Sequence, residues 1–149
     1  MALPEQIQAD LTAAMKARDA EAVGTLRMVV AAIRNARVAA GRSGDVDDAE
    51  TVDLLSREAK KRREAAEAYT AAGRDELAAK EIRELAVIER YLPDALSPEE
   101  LARIVDEAVA STGASGPSDL GAVMSVIMPQ VKGRADGKAV NAMVRRRLA

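Results

Sequence analysis

Apolar residues recur every three or four positions along almost the whole chain, the spacing that sets one side of an α-helix against a core. Between residues 4 and 17, Ile7, Leu11, Ala14 and Met15 share a face, and Pro4 stands in the opening turn, where its missing N–H costs nothing. Asp19 is placed to cap a second helix whose stripe reads Ala22, Leu26, Val29, Ile33, Ala36 and Ala40, ending at Gly41. G-R-S-G-D from 41 to 45 has the composition of a loop. A third helix is predicted from Asp47 or Asp48 to Ala72, with Gly73 as its stop. Asp75 is expected to cap a fourth, which carries Ile82, Leu85, Ile88 and Leu92 before Pro93 forbids continuation.

Ser97-Pro98-Glu99-Glu100 reads as a capping box, with serine at N-cap, proline at N1 and glutamate at N3. The helix behind it presents Leu101, Ile104, Val105, Ala108 and Val109, and 111–118 reads as a Gly/Ser-rich loop. A sixth helix (119–132) offers Leu120, Val123, Met124, Ile127, Met128 and Val131, with Pro129 expected to bend it. A seventh (137–148) offers Val140, Met143, Val144 and Leu148. No stretch alternates with period two. The expected fold is therefore all-α, an N-terminal four-helix domain (1–94) and a small C-terminal three-helix domain (97–149), joined at Y-L-P-D-A-L-S.

Composition sharpens this picture mainly by subtraction. Hydrophobic residues make up 48% of 149, but 32 of them are alanine, which favours helix over a bulky core. There is no Cys, His, Phe or Trp. That removes disulfides, thiol nucleophiles, the usual zinc ligands and the imidazole of hydrolase triads. Two tyrosines alone, Tyr69 and Tyr91, give no platform for stacking bases. Neither a spanning helix nor a secretory leader is visible, so a cytoplasmic protein away from membranes is expected.

Candidate chemistry is correspondingly thin. Ser111, Ser115 and Ser118 lie in a Gly/Ser-rich segment without the lysine that a Ser–Lys amidase needs. G-R-A-D-G-K (133–138) misses the P-loop spacing by one residue and ends in Ala139. Charge says more. From residue 111 onward the bases Lys132, Arg134, Lys138, Arg145, Arg146 and Arg147 face only Asp119 and Asp136, a local +4 in a chain of net −2. These residues are candidates for one cationic surface that meets phosphates. A second basic run, Arg57, Lys60, Lys61, Arg62 and Arg63, is expected to be a solvated face braced by Lys60–Glu64 and Arg63–Glu67.

Arg62 does not fit that face, because the stripe Val52, Leu55, Ala59, Arg62, Ala66, Tyr69 puts it on the apolar side. A buried guanidinium must be paired. Glu81 or Glu84 of the next helix would meet it, or it emerges to meet a ligand. Gly121, in the first turn of helix six, is expected to let another helix approach closely, and Gly133 and Gly137 to supply positive φ at the turn into helix seven.

A-M-K-A-R-D, L-R-M-V-V-A-A-I-R, K-K-R-R-E-A, E-x-x-E-L-A-V-I-E-R-Y-L-P and G-A-V-M-S-V-I-M-P-Q-V-K-G-R-A-D-G-K, in that order, resemble the GatB/YqeY family over essentially the whole chain. The resemblance implies an all-α fold and a module related to the tail of the GatB subunit of tRNA-dependent amidotransferase, which helps recognise tRNA. It implies association with carbon–nitrogen ligase activity that uses glutamine as amido-N-donor. Lys132, Gly133, Arg134 and Lys138 are the tRNA-contact positions carried over, and Gly121 and Met124 the structural ones. It brings no catalytic residue, metal or cofactor, since that chemistry belongs to other parts of the assembly. Expected partners are tRNA and an amidotransferase or aminoacyl-tRNA synthetase. A helical protein-interaction adaptor is the alternative.

Overall fold

The computed structural model describes residues 1–41 and 46–149, so most of the expected loop 41–45 lies outside the described residues. Among the described residues all regular structure is helical: α1 (Leu3–Ala17), α2 (Ala20–Ala39), α3 (Asp48–Ala71), α4 (Asp75–Glu89), α5 (Pro98–Thr112), α6 (Leu120–Val131) and α7 (Gly137–Leu148), with one 3-10 turn at Pro117–Asp119. They gather into two compact units, Met1–Leu92 and Pro93–Ala149.

In the first unit, α1 and α2 are separated by a very short turn. Arg18 adopts a left-handed φ of 58°, and its N–H returns to Met15 O at 3.2 Å. Asp19 then caps α2 by accepting from Ala22 N at 3.2 Å. Asp47 caps α3 in the same way through Glu50 N at 2.8 Å. Asp48 reaches back across the chain to accept from Leu3 N at 2.9 Å, tying the start of α1 to the start of α3. The core is aliphatic and close-packed, built from Ile7, Leu11, Leu26, Val29, Ile33, Val46, Leu55, Ala59, Val87 and Ile88. Fully burying each of the larger side chains contributes about 1.5–3 kcal/mol.

Several expectations for this unit are corrected. Met15 and Ile82 are exposed, at 49% and 55%, and Ala40 also faces outward. Asp75 does not cap α4. It is the first helical residue, and Arg74 stands at the N-cap without a side-chain bond. Leu85, Ile88 and Leu92 keep their expected place against the core, and Ala78, Val87 and Tyr91 are buried or half-buried beside them. Tyr91, just past the end of α4, donates its hydroxyl to Asp10 Oδ2 at 2.6 Å and so fastens that end to α1.

In the second unit, Ser97 Oγ accepts from Glu100 N at 3.1 Å and starts α5. The other half of the box differs from expectation: the Glu100 carboxylate accepts from the Ser97 hydroxyl, at 3.0 Å, rather than from a backbone N–H. Helix α5 runs on through Ser111 and Thr112 before Gly113 ends it. Asp119 then accepts from Ser115 N and Gly116 N and tightens the connection to α6. The core comprises Leu101, Val105, Ala108, Val123, Ile127, Val131, Val140, Val144 and Leu148, with Met124 packed partly buried against it. Gly121 is corrected as well: a Cβ there would meet nothing within 4 Å, so no helix presses on it. At the turn into α7, Gly133 takes φ +74°, whereas Gly137 does not need positive φ.

Candidate nucleic-acid interface

The cationic candidates of the second unit occupy three settings. Lys132 and Gly133 close α6, with Lys132 exposed at its C-cap. Arg134 is bound into the fold. Its carbonyl accepts from Leu96 N at 2.8 Å, and its Nε donates to Asp94 O at 3.1 Å, so it staples the segment before α5 to the α6–α7 turn. Its Nη2 stands 4.0 Å from Glu100, the outer limit of an ion pair.

Helix α7 carries the rest. Its buried stripe is Val140, Val144 and Leu148. Lys138 and Arg145 are seven residues apart, and so share one outward face two turns, about 10 Å, apart. Arg145 is exposed, and its Nε donates to Asn141 Oδ1 at 2.6 Å, which steadies the side chain. Arg146 is exposed. Arg147 Nε donates to Asp106 Oδ1 of α5 at 2.7 Å. Both partners are about half exposed, so this pair is screened and weakly held. The three arginines also complement the negative end of the α7 dipole.

The local +4 does not survive at the level of the unit. Asp94, Glu99, Glu100, Asp106 and Glu107 fold together with it, against Arg103 alone, and bring the unit to seven acidic and seven basic side chains. Counting along the chain missed this because the cancelling acids lie ahead of residue 111 in sequence.

Arg62 is 6% exposed and lies inside the first unit. Its Nη1 donates to Glu58 Oε2 at 2.6 Å and to Glu58 O at 3.1 Å. Its Nε lies 3.5 Å from Glu84 Oε2, at ion-pair distance but out of hydrogen-bond alignment. Its Nη2 donates to Met28 Sδ at 3.7 Å. The internal pairing with α4 is thus present, through Glu84 rather than Glu81. Glu58 was the missed partner, one turn back on α3 itself, and its i,i+4 spacing to Arg62 was the available signal. Burial pushes the Glu58 carboxyl up, but hydrogen bonds from Arg62 and Lys61 outweigh it and hold the group below its ordinary value. On the outer face of α3, Lys61 joins Glu58 at 3.3 Å, and the expected Lys60–Glu64 and Arg63–Glu67 pairs do not form.

A sequence model of the family described as Yqey-like protein matches residues 4–148. The chain belongs to the YqeY-like family. A 57-residue segment is 42% identical to a glutamyl-tRNA(Gln) amidotransferase subunit from Thermococcus gammatolerans, and covers 36% of this chain but 9% of that protein. The YqeY-like chain thus matches less than a tenth of that relative's length.

Two open clefts lie in the first unit of this YqeY-like chain. One, of about 230 Å³, lies between the start of α1 and the second half of α2 and is flanked by Arg34 and Arg37. The other, of about 420 Å³, is floored by Ala13, Ala14, Ala17 and Ala22 beside the Tyr91–Asp10 bond. Burial, then the bond to Asp10 and its charge, push the Tyr91 hydroxyl well above its ordinary pKa. Among the described residues no group of three or more metal-binding side chains is placed to hold an ion, and no helix is long and apolar enough to cross a membrane.

Proposed function

We propose that this YqeY-like protein is a cytoplasmic tRNA-binding module that works alongside tRNA-dependent amidotransfer and carries no catalysis of its own. The observation behind this reading is the 42% identity of one segment to an amidotransferase subunit whose name specifies glutamyl-tRNA(Gln). In this reading the two compact units, Met1–Leu92 and Pro93–Ala149, act as separate domains, close to the expected 1–94 and 97–149. The second supplies the contacts. Lys138, Arg145 and Arg146 meet phosphates directly, and Arg147 exchanges Asp106 for a phosphate when one arrives. Lys132 and the Gly133 backbone lie beside them, while Arg134 contributes chiefly by holding the turn. Phosphate and shape dominate recognition, because the two aromatic side chains, Tyr69 and Tyr91, both lie in the first unit and leave the second without a stacking platform.

The test is filter binding of tRNA to the full chain across a salt series. Replacing Arg145, Arg146 and Arg147 together by Gln should weaken binding and lower the slope of log K against log salt by roughly 2–3. An unchanged slope would reject this surface.

The same relative is a subunit of a larger enzyme, which favours a second reading as an accessory component active only within a complex. Glutamine, ATP and mischarged tRNA, supplied with and without amidotransferase subunits, separate the two. A rate increase on adding this chain supports the accessory role; tRNA binding with no such increase supports the module. Association with protein that persists after nuclease treatment would favour an adaptor.

A further inference from the structure

Arg62 has one strong side-chain acceptor in the Glu58 carboxylate, a second carboxylate, Glu84, at ion-pair distance only, and a weak acceptor on its other side. Nη1 and Nε face the Glu58 and Glu84 carboxylates, while the acceptor given to Nη2 is the thioether of Met28, at 3.7 Å. A thioether sulfur accepts poorly, so this buried donor is under-satisfied. Met28 differs from Arg62 in being 44% exposed. The contact thus joins a residue that reaches the surface to one sealed in the unit's interior.

We propose that Met28 is a reversible oxidation site, modified by hydroperoxides, whose sulfoxide is captured by the Arg62 guanidinium. The sulfur lone pair attacks the terminal oxygen of the hydroperoxide, the S–O bond forms as the O–O bond breaks, and the departing oxygen takes up the proton of the transferred hydroxyl, leaving the sulfoxide and water or an alcohol. The thioether loses two electrons and the peroxide gains them. A sulfoxide reductase restores the thioether with two electrons and two protons from a dithiol, which becomes a disulfide as the oxygen leaves in water. Set at a bent angle on the sulfur, the new oxygen falls within about 2.7–3.2 Å of Nη2, the ordinary N–H···O range. A weak acceptor is thereby exchanged for a strong one facing a cation, which makes the bond charge-assisted.

The other well-exposed methionines provide the contrast. Met1 and Met15 are 87% and 49% exposed, and no side-chain hydrogen bond to either sulfur occurs among the described residues. Oxidation there only adds a polar group in water. Methionine oxidation usually loosens a fold by putting a polar group into apolar surroundings. At Met28 the sign reverses, because the new oxygen meets a donor already waiting for it.

The full-length chain is treated with hydrogen peroxide, and each sulfoxide is mapped by peptide mass spectrometry. Amide exchange in α3 is then followed before and after treatment, in the natural sequence, in Met15→Leu and in Met28→Leu. Met28 should oxidise within about threefold of Met15, given their similar exposure. Its sulfoxide should slow exchange of the amides around Arg62 by about 3–10-fold, in the Met15→Leu background too. Met28→Leu, a near-isosteric change, should fold normally and show no slowing. Met28 remaining reduced while Met15 oxidises would overturn the proposal, as would unchanged or faster α3 exchange at full Met28 oxidation.

Discussion

Replacing Arg62 by Met keeps much of the side-chain volume and removes the charge. Glu58 and Glu84, each with a side chain only 17% exposed, are then left near one another without their shared cation. Removing one member of a buried pair typically costs 3–5 kcal/mol. Residual solvent access and the apolar contacts of the new methionine offset part of that, so the expected loss is about 2–4 kcal/mol. Measured by far-UV circular dichroism in urea, this lowers the midpoint by about 1–2 M with an unchanged slope. The loss depends on pH. In the natural protein the Glu58 pKa lies below its unfolded value, so the stability it contributes is present above the ordinary glutamate range and fades as pH falls through the folded value. The gap between the natural protein and Arg62→Met should be full at pH 7 and shrink below about pH 4.3. Adding Glu58→Gln and Glu84→Gln to the variant should recover part of the loss at pH 7. A variant within about 0.5 kcal/mol of the natural protein at pH 7 would refute the reasoning.

Two glycines of the second unit should respond oppositely to alanine. Gly121→Ala meets open space within α6 and should stabilise by about 0.5–1 kcal/mol, whereas Gly133→Ala is forced into φ +74° and should cost about 1–2 kcal/mol, both read from urea midpoints. Tyr91→Phe breaks the bond to Asp10 and should cost about 1.5–3 kcal/mol at neutral pH. The folded Tyr91 pKa is raised, so the natural protein's stability falls as pH rises above about 10 while the phenylalanine variant escapes that term. The gap between them should therefore narrow in alkali.

Local signals carried most of the architecture. Asp19, Asp47 and Ser97 each cap the helix that their neighbours suggest, because a capping bond spans three residues and is visible in any short window. Asp75 misled because an acidic residue is equally favoured one position further in, where it faces the positive end of the helix dipole. Met15 and Ile82 misled for a related reason: a helix face has edges, and spacing alone does not tell an edge from the centre of a stripe. Arg62 was legible as an anomaly, since a cation on an apolar stripe requires partners. Which glutamates answer it depends on how α4 lies against α3. The Tyr91–Asp10 bond, across 81 residues, left no local trace. Charge summed along the sequence also leaves out the acids that folding returns to the same unit, so the +4 of residues 111–149 is not the charge of the unit.

That balance of seven acids and seven bases sets how fast a partner can arrive. The leading field of the second unit is at most a dipole's, which dies away faster with distance than a monopole's, and the first unit adds only a net −2, 17 acids against 15 bases. A polyanion would approach it at an unsteered rate, about 10⁵–10⁶ M⁻¹s⁻¹, rather than the 10⁸–10⁹ M⁻¹s⁻¹ that strong long-range attraction allows. The cations of α7 would act only once contact is made, lengthening residence and orienting the bound partner rather than gathering it from a distance.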